Sequence, residues 1–352
     1  MARILFTVCG VGRGHATRSS VLIGELMKNH EVFVVSYGDA VDVLKGKFRV
    51  EPISWFKMLY AKNSYRGIST ILYNIPRIPF VFAGNLLKLR KIVGDFRPDI
   101  VISDFDVNGI YIAKLSGLPV ITISNMHMMD YEKPRLSTSE KIGFLLTQES
   151  MLKSFVGTDH FIIMHLIKPK QGKKGVDFFY PIVRQSVTSA TPDDKGYFLV
   201  YSSAAQLPAL LPVLEKFPEK KFLVVGMEGK KTLNTEFRVS LDETEFAEKL
   251  ASCTAFLSHG GLSSMTEAIV LGKPVYTFTS KKFYERYYNG EIAQKLGLGF
   301  TEETPSFEGL SEFFSKIQEY KKSISKLKLT PENTRILEKI GEIISDRAKK
   351  GK

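Results

Sequence analysis

Nine consecutive residues, His259, Gly260, Gly261, Leu262, Ser263, Ser264, Met265, Thr266 and Glu267, carry the densest chemistry in the chain. The apolar run 255–258 before them reads as a strand feeding a Gly-Gly turn, and Met265, Ala268, Ile269 and Leu271 then recur at helical spacing. Gly272 and Pro274 stop that helix, which places its start near Ser263. Backbone N–H groups at Leu262, Ser263 and Ser264, with the positive end of the helix dipole behind them, form an anion site. Ser264 and Glu267 lie three apart, so both are expected on the face nearest the turn. A carboxylate there would repel a phosphate but suits a ribose diol, which offers two donors to a bidentate acceptor. The stretch therefore reads as a nucleotide diphosphate site; helix capping alone would explain the serines but neither His259 nor the paired glycines.

A second glycine-rich turn, Gly10-Val11-Gly12-Arg13-Gly14-His15, follows the apolar run 4–8 and opens a helical pattern. A dinucleotide fingerprint fits it poorly, because the third glycine is misplaced and an imidazole stands where backbone must approach pyrophosphate. His15 at a helix mouth suits another task, taking a proton from a substrate hydroxyl, and the helix N-terminus keeps the ring neutral for it. Such a base needs an acceptor on its other ring nitrogen. Asp104, at the end of the strand-like run 99–103, is the candidate, which would make His15 and Asp104 a dyad. Asp104-Phe105-Asp106 also spells D-x-D, a pattern able to carry a divalent metal. Alternate residues point to opposite faces, however, so one of the two is expected to cap the next helix, and a site without metal is favoured.

These groups need elements to position them. Strand-like and helix-like patterns alternate throughout, which points to parallel sheets with helices on both faces. Strands are expected at 4–8, 31–36, 50–53, 99–103, 120–124 and 161–165, with helices at 17–28, 86–95 and 108–116. The pattern lapses over 168–196, where Lys, Gly, Pro, Ser and Thr gather, and the domain junction is expected there. A second series of strands follows at 197–201, 222–225, 237–239, 255–258 and 275–278. The expected organisation is a domain over 1–180, a second over 181–329, and a helix over 330–352 opening on a Thr-Pro cap. That helix carries Ile336, Leu337, Ile340, Ile343 and Ile344 on one stripe that must dock on something.

Bulk properties agree with a folded intracellular protein. At 352 residues the chain has room for two domain cores. A hydrophobic share of 44% with 24% charged residues excludes a disordered chain. Cys9 and Cys253 lie in or beside apolar runs and imply no disulfide framework, as in a reducing cytosol. Residues 1–15 read as a first strand and loop and not as a signal peptide, and no apolar run is long enough to span a bilayer. The net charge of +12 is uneven, for residues 1–182 hold 24 Lys and Arg against 15 Asp and Glu. Within them, 52–94 contains seven cations, no acid, and an interleaved set of aromatics and aliphatics. Such a surface suits an anionic leaflet; the plainer reading is a core helix pair with basic solvent faces. Nucleic acid is disfavoured, because no nucleic-acid module is present and the apolar content is too high for a phosphate-tracking groove.

Taken together, the Gly10–His15 loop, Asp104, His259-Gly260-Gly261 with Ser264 and Glu267, Gly272-Lys273-Pro274, and Glu285-Arg286-Tyr287-Tyr288-Asn289 resemble the GT-B glycosyltransferases that use nucleotide-diphospho sugars. Within that group they are most similar to the MurG-like and UDP-glycosyltransferase branch. The resemblance implies two Rossmann-like doubly wound parallel-sheet domains facing across a cleft, the first binding acceptor and the second donor, with the last helix returning to the first domain. It implies that His259, Gly260, Gly261, Ser263 and Ser264 hold pyrophosphate, that Ser203 touches phosphate, that Glu267 holds ribose, and that Glu285 and Arg286 face the donor sugar. Gly12, Arg13 and Gly14 fall to the acceptor loop. Glu285-Arg286 stands where the family commonly has Asp-Gln or Gln-Gln, so the sugar is not carried over. The expectation is a cytoplasmic enzyme, peripheral to the membrane, that moves a sugar from a UDP-sugar to a hydroxyl, with inversion and with no metal or other cofactor. The acceptor would be lipid-linked or a cell-envelope glycan precursor. A sugar-nucleotide epimerase or hydrolase of the same architecture is the main alternative, and a binding module without catalysis a third.

Overall fold

The computed structural model describes residues 1–56, 60–61, 64–65, 67–170 and 172–350. Two compact units emerge, one of Met1–Tyr131, Glu149–Ile182 and Glu332–Lys352, the other of Glu132–Gln148 and Val183–Pro331. The chain passes from the first unit to the second at Ile182, inside the stretch where the strand and helix patterns lapse.

The first unit is built on a parallel sheet of β1 (Arg3–Val8), β2 (Glu31–Ser36), β3 (Val50–Pro52), β6 (Ile100–Asp104), β7 (Val120–Ser124), β8 (His160–Met164) and β9 (Val176–Phe179); a short antiparallel pair, β4 (Tyr60–Ala61) and β5 (Ser64–Tyr65), stands apart from it. The spatial order is β3-β2-β1-β6-β7-β8-β9. The chain therefore works outward from β1 and then jumps back to its other side. Every residue of β6 and β7 is buried, as expected of strands covered by helices on both faces. Ile4, Phe6, Ile102, Ile123, Ile162 and Met164 share one core cluster with Leu22 and Ile23 of the helix Gly14–Leu26. Ile336, Ile340 and Ile344 of the last helix, Asn333–Lys350, join that cluster, so its apolar stripe docks on the first unit. β9 is a correction to the sequence reading, which left 168–196 without a strand; Phe179 pairs with Met164 in register at the sheet edge.

Of the basic and aromatic stretch 52–94, Lys57, Leu59, Lys62 and Arg66 lie outside the described residues. Beyond them run the helices Gly67–Asn74 and Ile78–Phe96. Only Asn85, Leu89 and Ile92 of the longer one are buried. Leu72, Tyr73, Ile75, Ile78, Phe80 and Leu87 are exposed, Phe80 by 79%.

The second unit repeats the plan with β10 (Tyr197–Tyr201), β11 (Lys221–Val225), β12 (Thr235–Arg238), β13 (Ala255–Ser258), β14 (Val275–Phe278) and β15 (Gly299–Glu302), all parallel, in the order β12-β11-β10-β13-β14-β15. β15 also went unread in the sequence, because Gly299 and the acidic run after it break the apolar pattern. Residues 132–148, which the sequence reading assigned to the first domain, pack here. Their helix Thr138–Phe144 sets Phe144 edge-on against Tyr284, whose hydroxyl donates to the Glu140 carbonyl. Glu132 pairs with Lys295 at 2.6 Å, and Glu291 accepts the Arg135 N–H.

Candidate active site

In each sheet the strand order reverses once, between β1 and β6 in the first and between β10 and β13 in the second. Ligands of open parallel sheets bind beyond the carboxyl ends of the strands at such a reversal. The candidate residues gather at both.

In the first unit, register sets Val8 beside Asp104, and the Cys9 N–H bonds the Asp104 carbonyl, which brings the Gly10–His15 loop against the end of β6. Gly10 must be glycine, since a Cβ there would lie 1.6 Å from the Tyr37 carbonyl oxygen. The loop turns at Gly12, φ 75°, Arg13 caps the helix and Gly14 begins it, leaving His15 in the first turn. Nδ1 of His15 lies 2.8 Å from Asp104 Oδ1. Asp104 is fully buried. Burial by itself would raise its carboxyl, but the Arg18 guanidinium, and after it His15, carry it well below the ordinary carboxylate range. Ser19 adds a hydroxyl at 2.6 Å and Arg18 Nε another donor at 2.8 Å, both to Oδ2. Between the two aspartates Phe105 takes a left-handed φ of 53° and stacks on the His15 ring at 5.7 Å. Asp106 then turns away and caps the helix Val107–Leu115, accepting the N–H groups of Asn108 and Gly109. Neither carboxylate of the D-x-D is left open, and among the described residues no group of three or more His, Cys, Asp or Glu is arranged to hold a metal ion.

In the second unit β13 delivers His259 and β10 delivers Ser203, with Tyr201 paired to Ser258 where the two strands end. The helix runs Leu262–Val270, capped by Gly261. Its bonding begins with the Met265 N–H to the Gly261 carbonyl, so the amides of Leu262, Ser263 and Ser264 point out of the helix mouth. Gly260 has φ 85°, and a Cβ there would come within 2.5 Å of the Arg286 carbonyl oxygen; Asn289 Nδ2 donates to the Gly260 carbonyl at 2.9 Å. The helix Tyr284–Lys295 thus braces the turn and sets Glu285 and Arg286 beside it, the latter's guanidinium over the Phe283 ring. Burial of its ring, whose Nδ1 is shut off from solvent, and then Arg286 pull His259 down to about 3. His259 is therefore a neutral group that can meet a phosphate only through an N–H. Ser203 is exposed and contacts Gln206.

Two placements differ from the sequence reading. The Ser264 hydroxyl does not face outward but donates to the Gly261 carbonyl at 3.2 Å, so it stiffens the turn. Glu267 is no open carboxylate: it is 2% exposed, and Arg184 grips it in a fork, Nε to Oε1 at 2.7 Å and Nη2 to Oε2 at 2.6 Å. Each oxygen keeps a second lone pair for a hydroxyl donor. Arg18 and Arg184 are the two residues that sequence reasoning missed. Arg18 lies three places after His15, one helical turn on, which was a legible signal; nothing local tied Arg184 to a residue 83 positions away.

Comparison with known proteins bears on the fold and the family. The chain is 26% identical to a glycosyltransferase of Methanosarcina mazei over 368 aligned positions, covering 93% of this chain and 92% of the relative. A Methanosarcina acetivorans glycosyltransferase is 24% identical over 84% of each chain. Among solved structures, the kitacinnamycin glycosyltransferase superposes with a TM-score of 0.68 at 16% identity, covering 98% of this chain and 99% of that one. A UDP-glucosyltransferase from Polygonum tinctorium does so with 0.66 at 13%, covering 98% of each. VinC, solved with dTDP, gives 0.64 at 14%, covering 99% and 100%. The model of glycosyl transferase family 1 matches residues 2–318, and the chain belongs to that family, as a glycosyltransferase of the GT-B type.

Proposed function

We propose that the enzyme moves a sugar from a UDP-sugar to an acceptor hydroxyl by one direct, inverting displacement that needs no metal ion. His15 Nε2 takes the acceptor proton while Asp104 holds Nδ1; the acceptor oxygen bonds the anomeric carbon as the bond to the diphosphate breaks. The electron pair leaves on the diphosphate, which the outward amides of residues 262–264 and an N–H of His259 stabilise, the kind of preorganised donor set that commonly supplies the largest catalytic effect. Ser203 and Gly261 border the phosphates, Glu267 takes the ribose diol on its remaining lone pairs, and Glu285 and Arg286 meet the sugar. The contact that carries this reading is His15 on Asp104 at the strand reversal of the first sheet. Metal independence is favoured because the Asp104 oxygens are committed to Arg18, Ser19 and His15, and those of Asp106 to a helix cap.

The acceptor we propose is lipid-linked and met at an anionic membrane surface. Exposed Leu72, Tyr73, Ile75, Ile78, Phe80 and Leu87 lie on two helices and the short 3-10 turn between them, which also carry exposed Arg77, Lys88, Arg90 and Lys91. Among the described residues no helix is long and apolar enough to cross a membrane.

The test is transfer from labelled donor to acceptor by wild type and His15→Ala. A loss of about 10²–10⁴ in kcat is expected; activity within about threefold of wild type, under 1 kcal/mol on the barrier, sinks the base role. Release of free sugar or an epimer from donor alone, faster than transfer, would favour the epimerase or hydrolase alternative. UDP at about 100 times its dissociation constant should add about 2.7 kcal/mol of stability, read as a thermal shift.

A further inference from the structure

Nδ1 of His15 has two claimants. Asp104 Oδ1 lies 2.8 Å from it and Arg18 Nη2 also lies 2.8 Å from it, while that same Nη2 bonds Oδ1. One ring nitrogen cannot donate to the carboxylate and accept from the guanidinium at once. A bare lone pair facing an anionic oxygen is repelled, whereas an N–H facing it makes a charge-assisted bond, so Nδ1 carries the proton and Nε2 is left bare. Arg18 is buried and reaches, besides the ring, both Asp104 oxygens and Asn125 Oδ1 at 3.0 Å. The charged groups set against Nδ1 of the ring are Asp104, from the end of β6, and Arg18, from its own helix. Phe105 brings no charge, and Asp106 is turned into its helix cap.

We propose that Arg18 is a positioning residue of the transfer reaction: it is the standing counter-ion of Asp104, locks the ring tautomer that leaves Nε2 free, and holds a positive charge against Nδ1 that keeps His15 from being trapped as an imidazolium by the buried carboxylate. The proposal rests on the base role of His15 and deepens it. The buried anion already has its counter-ion in Arg18, which meets both of its oxygens, so it needs no second positive charge on the ring. Lysine offers the same charge as a single point and cannot span both oxygens, Asn125 and the ring.

The measurements are the acid limb of the kcat/KM profile and the titration of the His15 ring by long-range ¹⁵N NMR, for wild type, Arg18→Met and Arg18→Lys, with the His15 signal assigned from His15→Gln. In Arg18→Met both midpoints should move up by about one unit or more, since a like charge has left the ring's side. In Arg18→Lys they should stay near wild type while kcat falls. Should Arg18→Met fail to fold, Arg18→Gln carries the same expectation. Superimposable ring titrations in wild type and the neutral variant overturn the proposal, as does a wild-type ring protonated on Nε2 when neutral. Because the ring titration is read without substrate, it stands apart from the proposed reaction: moved ring midpoints with full activity in His15→Ala would remove the base role and leave the positioning intact.

Discussion

At the scale of single residues, the proposed donor side depends on a buried ion pair as much as on the carboxylate the sequence advertises. Breaking such a pair from one side costs about 3–5 kcal/mol, because the remaining charge stays buried and unanswered. Glu267→Ala should therefore lower stability by that order and abolish nucleotide binding, whereas the double variant Arg184→Met with Glu267→Met should regain much of the stability and still bind no nucleotide. Urea unfolding and UDP titration measure the two effects separately; nucleotide binding by the double variant would show that Glu267 does not hold the ribose. The His15 and Asp104 site makes a pH prediction. Asp104 has an ordinary value of 3.8 and is held below it in the fold, so as pH falls through about 4 the unfolded chain takes up a proton that the native one refuses. Stability from this group is full at neutral pH and drains away below about 4. Asp104→Asn should be less stable at neutral pH but show a shallower acid arm in urea midpoints taken from pH 6 down to about pH 3; parallel arms would count against the assignment.

At the scale of elements, each site is a glycine turn fixed by a neighbour. The turn at Gly260 is closed over by Arg286 and Asn289 of the helix Tyr284–Lys295, and that helix is in turn held by 132–148 through Phe144, Glu132 and Arg135. Those residues stand outside the continuous stretch 181–329 expected to form the second domain, yet they support the helix that carries Glu285 and Arg286. The last helix does comparable work in the first unit. Glu332, where the chain re-enters that unit, accepts the Tyr180 N–H and pairs with Lys168 and Arg335, and Ile340 is fully buried a little further on. Ile340→Ala should cost about 2–5 kcal/mol by equilibrium denaturation; a change under about 0.5 kcal/mol would mean that the helix contributes little to the first core.

At the scale of the whole molecule, charge is the property with a consequence for association. The excess lies in residues 1–182, and the described part of its basic stretch exposes Leu72, Tyr73, Ile75, Ile78, Phe80 and Leu87. Co-sedimentation with anionic vesicles should be strong at low salt and should weaken at about 1 M, where the screening length falls to about 3 Å. Phe80→Ser with Leu87→Ser should reduce binding at both salt levels. A protein that ignores anionic vesicles at low salt would remove the membrane from the proposal.

The sequence by itself determined the layered parallel architecture, because β-branched and aromatic runs of strand length alternate with helical spacing wherever a strand is buried on both faces. It determined the two glycine turns as well, since Gly260 with φ 85° and Gly10 against a carbonyl admit no side chain, and it set one aspartate of the D-x-D to cap the next helix, which the structure shows to be Asp106. It could not supply β9, where Lys and Gly surround a four-residue strand recognisable only by its pairing with β8. Nor could it supply the ionic partners. A buried charge is tolerated only where another charge reaches it, and which residue does so depends on how distant segments meet. Thus Arg184 found Glu267 across 83 positions and Arg18 found Asp104 across 86, contacts that local spacing cannot encode and that the tertiary fold alone decided.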